Sequence, residues 1–252
     1  MTWVLLRGLA REARHWGGLP LQLATRLPQS AASGVVALDL PGNGEFFRLR
    51  SPDSVRTMVA FARERLLAQG LPPPYRLLAM SLGGMVATDW AQQFPGEVGA
   101  LVLVNTSMRP FSTPTQRLRP GTWPSLLRLA ARWDDASSAE RVIHGLTCRR
   151  STTLEEDIAD WVDIRRSAPV QPGNAWRQLW AAARFSAAAS APACPTLLLS
   201  SHADALVSAH CSQQLAFAWQ AVHHSHPWAG HDLPHDDADW VCQHIAEWLP
   251  GP

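Results

Sequence analysis

Six short apolar runs, each separated from the next by a polar turn, a helical stretch or a longer insertion, constrain this chain more than any other feature. They are Trp3 to Arg7, Val35 to Leu40, Tyr75 to Ala79, Ala100 to Asn105, Thr196 to Ser200 and Ala221 to Pro227. Apolar runs of strand length that alternate with amphipathic helices are the pattern of strands joined by helical crossovers into a parallel sheet. The segment Asp53 to Gln69 shows the helical half of that rhythm, with Val55, Met58, Val59, Ala62 and Leu66 on one face. Gly70 stops it, and Pro72-Pro73-Pro74 turn the chain into the next strand. The expected class is therefore α/β, with a mostly parallel central sheet flanked by helices.

Between Ser107 and Pro195 the rhythm changes. No clear strand is readable there; helical stretches bearing tryptophan and arginine are broken by Pro110, Pro114, Pro120-Gly121, Pro169 and Pro172-Gly173. This predicts an all-helical insertion over 108–191 in a core made of 1–107 and 192–252. The alanine-rich stretch 181–193 reads as its return linker.

Composition excludes much. The chain has 252 residues, 46% hydrophobic and 17% charged, as expected of one globular domain with a substantial core. All 22 basic side chains are arginine, so lysine Schiff bases, pyridoxal-phosphate chemistry and the lysine of a P-loop are ruled out. No G-x-G-x-x-G follows a strand, and no cofactor is expected. A formal net charge of +1 gives no sign of nucleic-acid binding. No apolar run is long enough to cross a bilayer, and the N-terminus lacks a basic region ahead of an apolar stretch. A cytoplasmic protein without a membrane partner, monomeric or homodimeric, is the expectation. Cys148, Cys194, Cys211 and Cys242 are scattered without a C-x-x-C pair, which fits reduced thiols.

Chemistry concentrates at Ala79-Met80-Ser81-Leu82-Gly83-Gly84, where the apolar run Tyr75 to Ala79 gives way to the helical stretch Met85 to Phe94. A serine on a sharp strand-to-helix turn needs small residues two before and two after it. Ala79 and Gly83 meet that need, and Gly84 lets helix and strand approach closely. Two later segments complete the pattern: the acid-bearing turn Ser201-His202-Ala203-Asp204-Ala205-Leu206-Val207 after the fifth run, and Ala229-Gly230-His231 after the sixth.

These residues, in this order, resemble the α/β-hydrolase superfamily of serine hydrolases with a helical cap, over nearly the whole chain. The resemblance implies a catalytic triad of Ser81, Asp204 and His231, with an oxyanion hole built from the backbone N–H groups of Leu82 and Leu9. Asn105 stands where some members carry the acid, and an amide cannot serve, which leaves the role to Asp204. Arg7-Gly8 replaces the family's His-Gly at the end of the first strand. Trp16 and the turn Asp39-Leu40-Pro41-Gly42-Asn43-Gly44 also match family positions. Within the family, the elbow Ser81-Leu82-Gly83-Gly84 and the stretch after Asn105-Thr106-Ser107 are most similar to carboxylesterases that cleave pimeloyl-carrier-protein methyl ester.

A serine with a histidine base and an aspartate orienting it predicts cleavage of a small to medium carboxylic ester or thioester through an acyl-enzyme. The same triad serves carbon–carbon bond hydrolases and cofactor-free haloperoxidase-like enzymes, and a non-catalytic receptor can keep the fold. Dehalogenases and epoxide hydrolases need a carboxylate where Ser81 stands. From Met108 to Arg184 there are 12 arginines against 8 acidic residues, whereas Phe185 to Pro252 holds no basic residue and 6 acidic ones. A cationic cap suits an anionic substrate or an acidic acyl carrier protein. Trp16, Arg117, Arg119, Trp123 and Arg149 are the candidate substrate contacts. His231 and His235 lie four apart, but Pro234 opposes the helix of an H-E-x-x-H zinc site and Asp232 replaces its glutamate, so no metal is expected.

Overall fold

The computed structural model describes residues 1–27 and 34–249. Six strands form one sheet: β1 (Thr2–Leu6), β2 (Val35–Leu38), β3 (Tyr75–Met80), β4 (Val98–Val104), β5 (Thr196–Ser201) and β6 (Val222–His226). Their order across the sheet is β2-β1-β3-β4-β5-β6, and every neighbouring pair is parallel. Each strand overlaps the run that announced it, shifted by a residue or two at its ends.

Both sheet faces are covered, and the pleat sorts side chains between them. Val4 and Leu6 of β1, Leu77 and Ala79 of β3, and Leu101 and Leu103 of β4 enter one apolar cluster. Against them pack α2 (Val55–Ala68), through Met58, Val59, Ala62 and Leu66, and α3 (Leu82–Gln93), through Val86 and Trp90. The alternate residues Trp3, Leu5, Leu78, Met80, Val102 and Val104 enter a second cluster. There they meet Leu19 and Leu23 of α1 (Leu19–Arg26) and Val241 and Ile245 of the last helix, Ala238–Trp248.

Between β4 and β5 lie five α-helices, α4 (Pro114–Arg117), α5 (Trp123–Ala131), α6 (Ala136–Thr147), α7 (Leu154–Ser167) and α8 (Pro172–Arg184), with a 3₁₀ turn at Pro120–Thr122 and no strand of the sheet. The stretch expected to be linker from residue 181 is helical up to Arg184, because alanine prolongs a helix readily. After β5 come α9 (His210–Trp219), β6, α10 (Leu233–Asp236) and α11 (Ala238–Trp248). Pro234 does not prevent α10; it occupies the first turn, where the missing N–H costs nothing.

Candidate active site

Ser81 occupies the one-residue junction between β3 and α3, with φ 53° and ψ −116°. That positive φ is strained for a residue carrying a Cβ, and it is held from several sides. The Ser81 N–H donates to the Val104 carbonyl at 3.0 Å, and the Thr106 hydroxyl donates to the Ser81 carbonyl at 2.8 Å. The flanking small residues are required by close approach. A Cβ on Gly83 would stand 2.4 Å from the Leu6 carbonyl oxygen, and one on Gly84 would stand 2.7 Å from Thr106 Oγ1. Gly8, from the loop after β1, lies against Ser81 itself: a Cβ there would stand 3.7 Å from Ser81 Oγ. Leu9 and Leu82, whose N–H groups are the candidate oxyanion donors, therefore follow Gly8, which packs against the serine, and Ser81 itself.

Asp204 and His231, 27 positions apart in sequence, meet as a buried pair with His231 Nδ1 and Asp204 Oδ2 2.7 Å apart. The other oxygen, Asp204 Oδ1, accepts from the N–H groups of Leu206 and Val207 at 2.8 and 2.9 Å. With both oxygens engaged, the carboxylate is fixed in orientation. Burial works against the imidazolium of His231. The negative charge of Asp204, its hydrogen bond and the nearby Asp232 outweigh that burial and hold the ring above the usual histidine range.

Asn105 ties these parts together. Its side-chain N–H group donates to the carbonyls of His231 at 2.8 Å and Gly230 at 3.2 Å, and its Oδ1 accepts from the Ser201 N–H at 2.9 Å. Asn105 and Thr106 thus brace the histidine loop and the Ser81 turn from adjacent positions at the end of β4. In the sequence, Asn105 reads only as an amide where an acid could have stood. Its value as an amide, able to donate and accept at once, emerges only when the loop it touches is known.

Arg7 shows what replaced the family histidine. Its guanidinium lies over the Trp16 ring at 4.8 Å and grips Asp232 with both terminal nitrogens, at 3.0 and 2.5 Å. Both side chains are 3% exposed. Burial would raise the Asp232 carboxyl, but the Arg7 charge and hydrogen bonds hold it below the usual range. A buried fork-to-fork pair thereby anchors the residue after His231 to the end of β1. Asp236 supplies a second anchor: its carboxylate accepts from the N–H groups of Gly230, at 2.7 Å, and of Arg149 and Arg150, both at 2.9 Å.

The candidate substrate contacts are more dispersed. Trp16 is buried beneath Arg7. Arg119 donates to the Asp204 carbonyl at 2.8 Å, so it steadies the acid's own turn. Arg117 donates to the Ala182 carbonyl at 2.5 Å, and Arg149 to the Cys148 carbonyl at 2.8 Å. Trp123 stands half exposed on α5.

A family model described as "Alpha/beta hydrolase family" matches residues 3–244. The chain belongs to the alpha/beta hydrolase family. It is accordingly an enzyme of the hydrolase class. A Klebsiella pneumoniae protein described as putative carbamate hydrolase RutD is 29% identical over 262 residues, covering 98% of this chain and 92% of its own. A pimeloyl-[acyl-carrier protein] methyl ester esterase from Chromobacterium violaceum is 33% identical over 156 residues, 62% of this chain and 51% of that one. The solved structure of a thermophilic esterase from Thermogutta terrifontis superimposes with a TM-score of 0.74 at 22% identity, covering 99% of this chain and 89% of that one.

Proposed function

We propose that this alpha/beta hydrolase cleaves carboxylic ester or thioester bonds of a small to medium acyl substrate through a Ser81–His231–Asp204 triad. The single observation that carries the reading is the buried 2.7 Å pair of His231 and Asp204, in a loop held by Asn105, whose neighbour Thr106 holds the strained Ser81 turn. In this mechanism His231 takes the proton of the Ser81 hydroxyl as Oγ bonds to the substrate carbonyl carbon. Asp204 accepts from the Nδ1–H and stabilises the imidazolium. The N–H groups of Leu9 and Leu82 bind the developing oxyanion, each worth about 3 kcal/mol of transition-state stabilisation. The proton then passes to the leaving alcohol or thiol, which departs and leaves the acyl group on Oγ. Water, deprotonated by His231, attacks that acyl carbon and releases the acid, and the proton returns to Ser81.

In the same proposal, residues 108–191 act as the cap, and its arginine excess favours an anionic acyl group or an acidic acyl carrier. Alanine at Arg117, Arg119 or Arg149 then lowers kcat/KM for charged esters more than for neutral ones; equal effects on both remove this part. A carbamate presents the same carbonyl to the same nucleophile, and the similarity to a putative carbamate hydrolase over 98% of the chain makes it the second reading.

The test is labelling with a fluorophosphonate, mapping of the adduct, and turnover of p-nitrophenyl esters of increasing chain length beside simple carbamates. A Ser81 adduct with ester turnover supports the first reading, and carbamate turnover alone supports the second. An adduct elsewhere, or none, overturns the triad. Labelling of Ser81 without turnover of either class leaves the nucleophile standing and moves the substrate to carbon–carbon or haloperoxidase-like chemistry.

A further inference from the structure

Three side chains from two distant parts of the sequence converge behind the His231 loop. His144 and Cys148 lie about one helical turn apart at the C-terminal end of α6, and His235 belongs to α10. Their ligand atoms all lie within 4.8 Å of one another. Asp157 of α7 reaches into the same place, its Oδ2 3.0 Å from His235 Nε2 and 3.4 Å from His144 Nε2. His144 is 4% exposed, and its buried Nε2, 3.4 Å from Asp157 Oδ2, forms no well-made hydrogen bond. A buried ring nitrogen is ordinarily satisfied, so one aimed unpaired into a cluster of donors points to something it would bind.

We propose that His144, Cys148 and His235, with Asp157 as the fourth ligand, bind a divalent d-block cation of the zinc type and thereby fasten α6 and α7 to the loop that carries His231.

Donor chemistry and geometry agree on this. Imidazole and thiolate together select zinc-like ions over calcium or magnesium, which require oxygen ligands. Bonds of about 2.0–2.1 Å to nitrogen or oxygen and about 2.3 Å to sulfur give a tetrahedron with edges of about 3.3–3.6 Å. The two Asp157 contacts, 3.0 and 3.4 Å, are already near that length. The separations among His144, Cys148 and His235, up to 4.8 Å, have to close by at most about 1.2–1.5 Å. The Asp157 carboxylate is itself oriented by the Thr153 hydroxyl at 2.8 Å, the kind of outer support that metal ligands need. One carboxylate and one thiolate neutralise a divalent ion, so the buried site carries no net charge when filled.

Binding converts the Cys148 S–H to a sulfur–metal bond and releases the proton to solvent, with no change of oxidation state. One neighbour opposes: Arg150 places a terminal nitrogen 3.4 Å from His235 Nε2 and 3.6 Å from Asp157. Its side chain is 35% exposed and has solvent to turn into. Trp161 walls the other side, its ring centroid 4.9 Å from His235 and 5.4 Å from His144. No spacing in the sequence could announce this cluster, because His235 is separated from Cys148 by most of the β5 and β6 region.

Cobalt(II) titration of the tag-free, chelator-stripped full chain tests the site. One equivalent should bind with a thiolate-to-cobalt charge-transfer band in the near ultraviolet and intense tetrahedral bands in the visible, both bleached by zinc. Metal at a hundredfold excess over Kd should raise Tm by about 5 °C. Cys148→Ser should abolish the charge-transfer band while Cys211→Ser and Cys242→Ser keep it, and His144→Gln and His235→Gln should each weaken binding at least tenfold. Should Cys148→Ser fail to fold, X-ray absorption on the zinc-loaded wild type decides instead: one sulfur in the first coordination sphere supports the site. No stoichiometric binding, a band that survives Cys148→Ser, or a sphere of nitrogen and oxygen alone overturns it.

Discussion

The sheet and the helices between β4 and β5 are held together by different physics. In β1, β3 and β4 the side chains facing either flank are mostly apolar and buried, as are Leu197 to Leu199 of β5, and the strands satisfy one another's backbone groups. The helical segment is also fixed to the core through buried polar seams. Glu140, 1% exposed, accepts from Arg11 at 2.6 Å and from Arg165 at 3.0 Å. Gln178 accepts from the Ala10 N–H and donates to Asn43 and Ser51. Arg11 in turn lies 4.2 Å over the Trp161 ring. Apolar burial is non-directional and tolerates many substitutions of similar volume, whereas an ion pair in a dry seam depends on each partner. The sheet is therefore a frame that sets where Ser81 and His231 stand, and the seams are attachments that one charge change can open.

The largest effects should come from the frame's chemical edge. Ser81→Ala is expected to lower kcat by about 10⁶-fold with little change in Tm, because it removes one oxygen from an otherwise intact turn. Asp204→Asn should cost about 10⁴-fold by favouring the wrong His231 tautomer. Steady-state kinetics on whichever ester proves to be turned over, beside thermal melts, check both. Residual activity above a tenth for either variant would place the chemistry elsewhere.

The division between frame and attachment also explains what the sequence revealed. Strand positions such as Leu77 to Ala79 and the small residues around Ser81 answer to local rules, a period of two and the space under a sharp turn, so they are readable in one dimension. Asp204 and His231 are readable by their order along the chain through the resemblance, and the structure sets their side chains 2.7 Å apart. Asn105, Asp232 and Asp236 escaped because their roles depend on loops over 80 residues away. Arg7 registered as a departure from the family, but its partner could not be named without the fold. The hydrogen bond from Arg119 to the Asp204 carbonyl was likewise unreadable, because an arginine in a cationic stretch carries no sign of the carbonyl it will meet.

Next in size is the seam itself. Glu140→Gln should destabilise the protein by about 3–5 kcal/mol, since it leaves the buried Arg11 and the largely covered Arg165 without their counter-charge. Leu101→Ala in β4 should cost a similar amount, about 2–5 kcal/mol, through a cavity. The two should differ in place. Limited proteolysis of the Glu140 variant is expected to cut first within residues 114–184, while the Leu101 variant loses protection throughout. Identical cleavage patterns would dissolve the contrast between frame and attachment.

Acid should open the same seam with a smaller effect. Burial and the charges of Arg11 and Arg7 hold His15 well below the ordinary histidine range, and burial also lowers His144. Both rings lie against Trp161, at 5.8 and 5.4 Å. A depressed folded pKa means that the unfolded chain binds more protons, so stability is full above about pH 6.5 and declines as pH falls below it. Melts at pH 7.5 and 5.5 should show that loss, and His15→Gln should flatten it. A Tm that rises on acidification through this range contradicts the sign.

The smallest expected effect belongs to the Arg7–Asp232 pair, which joins frame and loop directly behind His231, the proposed base. His231 must be neutral to accept a proton, and its ring is held above the usual range, so the ascending limb of kcat/KM should be centred above about pH 6.5. Asp232→Asn removes one of the charges that favour the imidazolium and leaves the Arg7 cation uncompensated. Both changes act in the same direction, and the limb should move to lower pH. Replacing the pair together, Arg7→Met with Asp232→Leu, withdraws opposite influences and should move it less, which separates the electrostatic part from any loss of loop anchoring. If the single variant stays folded and its limb moves upward, the pair does not tune the base, and its contribution reduces to holding the residue beside His231 against the end of β1.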